Sequence, residues 1–282
     1  MSWTVRSLLT WAREWLGKKG VDNPRLDAEL LLAHALGCDR MRLYIDIDRP
    51  LSADELAGFK NLIQRRAARE PVAYILGAKE FYGRPFEVGA GVFIPRPETE
   101  LLVQLALEAL PRGEPVRVLD LCAGSGAVGV SIAAERPEAL VDLVEISPAA
   151  AAVAEKNAQR HAPGRARVYR GDLYAALPER ARYRAIITNP PYVPAKEGRQ
   201  LAPEILDHEP HQSLFGGDDG LEVVRRAVAG VPEWLSPGGV FATEIDPSQG
   251  GRVAELCRAA GLSGVRVERD LAGLDRHVLG RL

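Results

Sequence analysis

Apolar residues recur with the period of an α-helix along the first 70 residues of the chain. Two stripes contain Trp3, Leu8, Leu9, Trp11, Ala12, Trp15 and Leu16, and then Leu26, Leu30, Leu31, Ala33, His34 and Leu36. Gly37 follows the second stripe in the position that commonly ends a helix. A third helix is indicated because Ser52 and Glu55 have the spacing of a capping box. The pattern predicts a helical domain over residues 1–70, with the stripes as its core.

The composition changes after Pro71, which ends the helical pattern. Residues 72–95 are rich in Tyr, Phe, Val and Gly, with turn signals at residues 82–85, Tyr-Gly-Arg-Pro, and residues 89–91, Gly-Ala-Gly. Short β-prone runs separated by such turns are typical of hairpins. We therefore expect a β-hairpin linker over residues 71–96.

Helical and strand patterns alternate from Pro97 to the end of the chain. Strands are predicted over residues 116–121, 141–145, 167–169, 185–188, 239–245, 265–268 and 277–279, and helices over residues 99–110, 127–134 and 148–160. Ser147 and Pro148 mark the start of the last of these helices, as its cap and its first residue. This alternation predicts a mostly parallel, doubly wound α/β sheet over residues 97–282.

A glycine-containing loop follows the first strand of this sheet. Asp120 lies near the end of the strand, and residues 124–129, Gly-Ser-Gly-Ala-Val-Gly, match the pattern G-x-G-x-x-G. Glycine lets the backbone approach a ligand, and the helix N-terminus offers free N–H donors. A carboxylate at Asp120 would repel a pyrophosphate but can face the charged amino group of a methionine moiety. The loop is therefore expected to bind S-adenosylmethionine rather than a nicotinamide cofactor.

Two further acids follow the next two strands of the sheet. Glu145 ends its strand about 20 residues past the glycine loop, where an acid accepts hydrogen bonds from ribose hydroxyls. Asp172 follows Gly171 after the next strand, where an acceptor can bind the adenine amine. Because Gly-Asp is also a common turn, an ordinary turn aspartate remains an alternative for Asp172.

The sequence Asn189-Pro190-Pro191-Tyr192 follows an apolar strand and carries the most chemical information. Two prolines make this loop rigid and remove N–H donors, so backbone carbonyls stay free to accept. The Asn189 side-chain oxygen and the Pro190 carbonyl can together hold both hydrogens of an NH2 group, while Tyr192 lies against a flat amide or base. Two fixed acceptors orient this poor nucleophile and favour positive charge on its nitrogen as a methyl group arrives.

A long segment, residues 193–217, follows this motif without a clear period and is expected to cover the substrate. His208 and His211 lie in it, but Pro210 interrupts the helix that a metal-binding pair would need. No metal site is expected.

Composition excludes several classes of protein. The 282 residues are 46% apolar with a net charge of −2, so no global basic field favours nucleic acid. The three cysteines have neither metal-ligand nor disulfide spacing, which is typical of a reducing cytoplasm. The N-terminus does not resemble a signal peptide, and no apolar run is long enough to span a bilayer. We expect a cytoplasmic protein, a monomer, without membrane or direct nucleic-acid partners.

The order of these features resembles the HemK/PrmC family, the N(5)-glutamine methyltransferases of class I peptide chain release factors. The likeness covers nearly the whole chain, including residues 269–276, Arg-Asp-Leu-Ala-Gly-Leu-Asp-Arg. Asn-Pro-Pro-Tyr is shared with DNA adenine methyltransferases, whereas residues 93–100, Phe-Ile-Pro-Arg-Pro-Glu-Thr-Glu, are more specific. The resemblance implies a Rossmann-like class I methyltransferase fold and, as substrate, the glutamine of a Gly-Gly-Gln tripeptide.

The resemblance also implies roles for individual residues. Cofactor positions are matched by Cys122, Ala123, Gly124, Ser125, Gly126, Glu145, Leu173 and Asn189. The substrate clamp is matched by Asn189, Pro190, Pro191 and Tyr192, and Phe93 lines the methyl pocket. The chain departs from the family at Cys122, where Gly is usual, at Glu145, where Asp is commoner, and at Leu173, where an aromatic residue often covers the adenine.

Three other functions are compatible with part of the pattern. A glutamine methyltransferase of a ribosomal protein would share every motif except the more specific segments. A DNA or RNA adenine methyltransferase would need a basic groove and usually a target-recognition domain, which the near-neutral charge and short N-terminal domain disfavour. A cofactor-binding interaction module would leave Asn189 idle, and it would bind the cofactor without transferring methyl groups.

Overall fold

The computed structural model describes residues 3–178 and 181–282, which form two compact units. The helices, in chain order, are α1 Val5–Lys18, α2 Pro24–Ala35, α3 Arg40–Ile45, α4 Ala53–Ala67, α5 Val72–Leu76, α6 Glu100–Ala109, α7 Ala127–Glu135, α8 Pro148–His161, α9 Pro203–Leu206, α10 Glu222–Trp234 and α11 Gly250–Ala259. The strands are β1 Ala78–Phe81, β2 Arg84–Glu87, β3 Val116–Leu121, β4 Ala139–Glu145, β5 Ala166–Arg170, β6 Tyr183–Thr188, β7 Leu235–Glu244, β8 Ser263–Arg269 and β9 Asp275–Arg281. No helix in the described ranges is long and apolar enough to cross a membrane.

The first unit is helical and contains the residues up to Ala78 together with Ala202–His208. Its core buries Leu8, Ala12, Leu16, Leu31 and Ala33 of the predicted stripes, and α4 packs against them from the expected capping box of Ser52 and Glu55 onward. The expectation was wrong for other stripe positions, because the side chains of Trp3, Trp11, Leu26 and His34 are exposed. The short helix α3 was not predicted, because six residues are too few to show a period.

Segment 202–208 joins the helical unit through charged side chains. Arg66, which is 5% exposed, donates to Asp27 at 2.6 Å and to Glu204 at 2.8 Å. Arg69 donates to the second oxygen of Glu204 at 2.6 Å. A buried guanidinium needs such partners, since an unpaired buried charge is costly. Part of the long segment after the Asn-Pro-Pro-Tyr motif is therefore integral to the helical unit.

The hairpin expected over residues 71–96 occupies only part of that range. Val72–Leu76 is the helix α5, which ends at Gly77 with φ of +72°, so the hairpin does not include these residues. Strands β1 and β2 form the hairpin, joined by the predicted turn at Tyr82 and Gly83. Both turn residues have positive φ, as the tight hairpin turn requires.

The second unit contains Lys79–Leu201 and Glu209–Leu282, and it is built on a seven-stranded sheet of order β5-β4-β3-β6-β7-β9-β8. The first five strands in this order are parallel, and β9 runs antiparallel to both β7 and β8. Apolar clusters cover both faces, so the parallel strands are buried on two sides. The chain moves outward from β3 to β5 and returns at β6, so a switch point lies between β3 and β6. Ligands bind at the carboxyl ends of strands at such points.

Candidate active site

The carboxyl ends of β3 and β6 bring the two main sequence motifs side by side. Leu121 pairs with Thr188 in the parallel register, and the Thr188 hydroxyl donates to the Leu121 carbonyl at 2.8 Å. The glycine loop leaves β3 at Cys122, and the Asn-Pro-Pro-Tyr motif leaves β6 at Asn189. Since neighbouring strands lie about 4.8 Å apart, the two loops begin next to each other.

The glycine loop is held in a strained, open conformation. Cys122, Gly124 and Gly126 have φ of +59°, +58° and +80°. A left-handed conformation is unfavourable for cysteine, which accounts physically for glycine being usual at position 122. A Cβ added at Gly124 would meet no atom within 4 Å, so the backbone there borders open space. The loop therefore exposes bare backbone at Gly124, and binding of a ligand there stays a prediction.

Glu145 supports the glycine loop through both carboxylate oxygens. Its Oε2 accepts from the Gly124 N–H at 2.7 Å, and its Oε1 accepts from the Ser147 N–H at 2.8 Å. The side chain is buried, and this burial raises the pKa of Glu145 above its ordinary value. Each oxygen retains a further lone pair. The expected binding of ribose hydroxyls by Glu145 stays a prediction.

Asp120 is almost fully buried beneath the loop, at 1% exposure. Its Oδ2 accepts from the Gly129 N–H at 2.8 Å, and a Cβ at Gly129 would lie 2.8 Å from the same oxygen. The third glycine of the pattern thus permits close approach of α7 to this acid. Burial raises the pKa of Asp120 to about 7, with the charge of Glu145 adding to the shift.

Asp172 and Leu173 lie in different environments. The Asp172 carboxylate is nearly half exposed and accepts from Arg226 at 2.5 Å. Leu173 is buried, with φ of +45°, at the start of a short 3-10 turn that ends at Ala176. An adenine amine would have to share the Asp172 carboxylate with Arg226, so the structure leaves this role as a prediction.

The side chain of Asn189 is oriented by a residue distant in sequence. Its Nδ2 donates to the Thr99 hydroxyl oxygen at 3.2 Å. Thr99 is 3% exposed and lies just before α6. Because the two ends of an amide point in opposite directions, the Asn189 carbonyl oxygen is directed away from Thr99. This orientation leaves the Asn189 oxygen free of Thr99, and its role as an acceptor for a substrate NH2 stays a prediction.

The Tyr192 end of the motif is fixed at two points. The Tyr192 hydroxyl donates to Glu244 Oε1 at 3.1 Å, and the Tyr192 carbonyl accepts from Gln249 Nε2 at 2.9 Å. Glycines pack against the same backbone, since an added Cβ at Gly220 would lie 2.2 Å from the Tyr192 carbonyl oxygen. At Gly216 it would lie 2.4 Å from the Pro191 carbonyl oxygen. The motif is therefore clamped by elements that follow it in the chain.

Residues 93–100 contact Glu209 and the β1–β2 hairpin within the second unit. The buried Glu209 accepts from the Ile94 N–H at 3.2 Å and from the Arg96 guanidinium, which lies 4.8 Å above the Phe93 ring. Glu100 accepts from the Tyr82 N–H at 2.8 Å, which fixes the β1–β2 hairpin. Phe93 is thus held by a cation–π contact next to a buried ion pair, and its role in a methyl pocket stays a prediction.

No group of histidine, cysteine, aspartate and glutamate side chains suited to a metal ion occurs in ranges 3–178 and 181–282.

Known proteins match both parts of the chain. Residues 7–77 match the family model of the PrmC N-terminal domain, and residues 89–244 match the methyltransferase small domain. A release factor glutamine methyltransferase from Geobacter sulfurreducens is 42% identical over 280 residues, which cover 99% of this chain and 97% of that protein. The chain belongs to the release factor glutamine methyltransferase family.

One more relative from the family has comparable identity, and a solved structure of lower identity shares only the fold. The release factor glutamine methyltransferase from Burkholderia pseudomallei is 44% identical, over 91% of this chain and 92% of that protein. A methyltransferase from Pyrococcus furiosus has a TM-score of 0.54 at 18% identity, over 79% of this chain and 98% of that chain, so it shares the fold. The predicted family and the predicted mostly parallel Rossmann-like fold are both confirmed.

Three residues that contact the Asn-Pro-Pro-Tyr motif were not predicted individually. They are Thr99, Glu244 and Gln249. Glu209, which was not predicted either, holds Ile94 and Arg96 instead. Thr99 occurs in the family-specific segment, but nothing local indicates its partner. Glu244 is the last residue of the apolar strand β7, which is a weak local signal, and Gln249 lies in the turn that follows.

Proposed function

We propose that this protein transfers a methyl group from S-adenosylmethionine to the side-chain amide nitrogen of the glutamine in the Gly-Gly-Gln tripeptide of class I release factors. The observation that carries the proposal is the orientation of Asn189. Its NH2 is engaged by Thr99, so its oxygen remains to accept from a substrate NH2. The names of the family members support the release factor as the substrate protein.

The glycine loop and its acids fit S-adenosylmethionine. Gly124 borders open space, and Asp120 and Glu145 supply negative charge beneath the loop. A cationic sulfonium cofactor with a free amino group and two ribose hydroxyls matches these donors and acceptors. Residues 122–126, Glu145 and Leu173 would hold it, and when bound it supplies the methyl group. Asp120 would face the amino group, and Asp172 would meet the adenine amine.

Asn189 and Pro190 would then prepare the substrate nitrogen. An amide nitrogen shares its lone pair with the carbonyl group, so it is a weak nucleophile. The Asn189 oxygen and the Pro190 carbonyl accept its two hydrogens, fix its direction and stabilise positive charge that develops on it. With S-adenosylmethionine bound, the nitrogen would bond to the methyl carbon as the carbon–sulfur bond breaks, with the bonding electron pair remaining on sulfur. The nitrogen would lose one proton to solvent, while the Asn189 oxygen and the Pro190 carbonyl keep it aligned.

Tyr192 and Phe93 would shape the rest of the substrate site. The Tyr192 hydroxyl is engaged by Glu244, so the ring face is the part that can lie against the flat glutamine amide. Pro191 keeps the backbone between the two contacts rigid. Glycines before the target glutamine suit such a site, because a chain without side chains can enter a narrow pocket.

Label transfer identifies the substrate directly. Purified protein and methyl-labelled S-adenosylmethionine would be incubated separately with a class I release factor, with ribosomal proteins and with DNA. We expect label in the release factor, and none after its tripeptide is changed from Gly-Gly-Gln to Gly-Gly-Ala. Label in a ribosomal protein or in DNA alone would refute the proposed substrate. Cofactor binding without any transfer would indicate an interaction module instead.

A further inference from the structure

Thr99 lies at a fixed point between two anchored residues. It ends a 3-10 turn over Pro97–Thr99, and its N–H donates to the Arg96 carbonyl at 3.1 Å. On one side Arg96 is paired with the buried Glu209, and on the other Glu100 accepts from the Tyr82 N–H. As a β-branched residue, Thr99 also has few side-chain rotamers. Its hydroxyl therefore has a well-defined position.

The Thr99 hydroxyl accepts a hydrogen bond from the NH2 end of the Asn189 amide, which is the end that cannot accept one from a substrate NH2. An asparagine amide offers an acceptor oxygen at one end and an NH2 donor at the other. Only the orientation with the oxygen toward the substrate can hold a substrate NH2. In that orientation Nδ2 needs an acceptor on the opposite side, and Thr99 Oγ1 lies there at 3.2 Å. Thr99 is 3% exposed, so water has little access to replace it.

We propose that Thr99 is a positioning residue, which satisfies Asn189 Nδ2 in the orientation that presents an acceptor to the substrate amide. This inference rests on the proposed function, because it concerns the nitrogen that Asn189 holds. Thr99 does not touch the reacting atoms. Its contribution is the acceptor without which the productive orientation of Asn189 leaves a donor unsatisfied, a state that is costly in a buried site.

Two substitutions distinguish the effect of the Thr99 hydroxyl on catalysis from the effect of Thr99 packing. Thr99→Val keeps the size and the β-branch but removes the acceptor, and Thr99→Ser keeps the acceptor but removes the methyl group. We expect Val to lower kcat for methylation of a Gly-Gly-Gln substrate by about tenfold, from the cost of one unsatisfied donor. Ser should stay within about twofold of the parent kcat. The KM for the substrate and the Kd for the cofactor, measured by titration calorimetry, should change little in either variant.

A double-mutant cycle tests whether Thr99 acts through Asn189. In an Asn189→Ala background there is no amide to orient, so adding Thr99→Val should leave single-turnover rates unchanged within about twofold. A further tenfold loss in that background would overturn the proposal, as would a Ser variant as slow as Val. Parallel titrations with cofactor show whether each variant has kept its fold. If the parent protein labels a substrate other than glutamine, the proposed function fails, and the same cycle on that substrate still decides the role of Thr99.

Discussion

The Tyr192 hydroxyl donates a hydrogen bond to Glu244 Oε1, 3.1 Å away, across the carboxyl ends of β6 and β7. Glu244 is 1% exposed, and its second oxygen lies 3.6 Å from His277 Nε2 on the neighbouring strand β9. Burial, together with the Glu244 carboxylate, raises the pKa of Tyr192, so its hydroxyl remains a donor. This contact anchors the tyrosine through its hydroxyl, and in the proposed function its ring face lies against the substrate amide.

Removal of the hydroxyl alone should affect stability more than catalysis. Tyr192→Phe leaves the buried Glu244 without its donor, which should lower the free energy of unfolding by about 1–3 kcal/mol. The ring remains, so kcat should stay within about threefold of the parent value. Tyr192→Ala removes the ring as well and should lower kcat much further. Urea unfolding and initial rates measure the two effects, and a Phe variant as slow as Ala would show that the hydroxyl itself acts on the substrate.

A pair of glycines tests whether the position of the motif matters for catalysis. Gly220 and Gly164 both have φ of +73°, so alanine costs similar backbone strain at each, about 1–2 kcal/mol. Only at Gly220 does the new Cβ collide with another residue, the Tyr192 carbonyl oxygen at 2.2 Å. At Gly164 no atom lies within 4 Å.

Gly220→Ala should therefore displace the Asn-Pro-Pro-Tyr motif. Because a small misplacement of the groups that hold the reacting atoms slows a reaction strongly, kcat should fall at least about tenfold. Gly164→Ala should lower the free energy of unfolding without changing kcat. Rates are compared at a temperature where both variants are fully folded by circular dichroism. Equal kcat values for the two variants would show that this clamp on Tyr192 is not needed.

Burial of Asp120 predicts a pH-dependent stability. Its folded pKa of about 7 lies above the ordinary value of about 3.9, so the folded state holds the proton more tightly. The resulting stabilisation is complete below about pH 4 and is lost as the pH rises to about 7. Relative to Asp120→Asn, the free energy of unfolding of the parent should fall by on the order of 4 kcal/mol at most between pH 4 and pH 8. Urea unfolding at several pH values measures this difference, and a constant difference would contradict it.

Ionisation of Asp120, which lowers the stability of the fold, should instead strengthen cofactor binding. If the ionised carboxylate faces the amino group of S-adenosylmethionine, the parent should bind the cofactor more tightly as the pH rises from about 6 to 8. Asp120→Asn cannot ionise, so its Kd should be higher and nearly independent of pH in this range. Titration calorimetry measures both, and an unchanged Kd in the Asn variant would remove Asp120 from the cofactor site.

We infer that the helical unit recognises the protein substrate rather than the cofactor, since it exposes several large apolar side chains. Met41 and Ile45, one turn apart on α3, are 71% and 69% exposed. Changing both to Glu should raise the KM for an intact release factor by about tenfold, the effect of losing roughly one buried apolar contact. The KM for a short Gly-Gly-Gln peptide should not change.

Leu140→Glu provides the control for that experiment. Leu140 is 52% exposed on β4 of the second unit, so it tests the effect of a new exposed charge away from the helical unit. An equal rise in KM for the control, or for the peptide with the α3 variant, would argue against specific docking.

The sequence predicted those helices and strands that show a clear apolar pattern or cap within a few neighbouring residues. The strand ending at Thr188 contains the apolar run Ala185–Ile187 just before a rigid motif, and Ser52 and Glu55 cap α4 within four residues. Helices α3 and α5 have six and five residues, too few to show a helical period. Their stability comes from burial of a few side chains, which no local pattern encodes.

Long-range partners account for most of what the sequence could not predict in the site. The Thr99–Asn189 bond spans 90 residues and the Tyr192–Glu244 bond spans 52. Asp172 was expected to be available to adenine, but its ion pair with Arg226 spans 54 residues. Residue type indicated that Asn189 and Asp120 matter, while the groups that orient them emerge only from the packed sheet.

The most direct measurement is the single-turnover rate of methyl transfer to the Gly-Gly-Gln glutamine by the parent and by Asn189→Ala. Removing one of two fixed acceptors should cost about 2.7–4 kcal/mol of transition-state stabilisation, a rate loss of roughly 100- to 1000-fold. Cofactor affinity should change much less, because the glycine loop and Glu145 remain. A rate for Asn189→Ala within a few-fold of the parent would contradict the account, since no acceptor at Asn189 would then be needed.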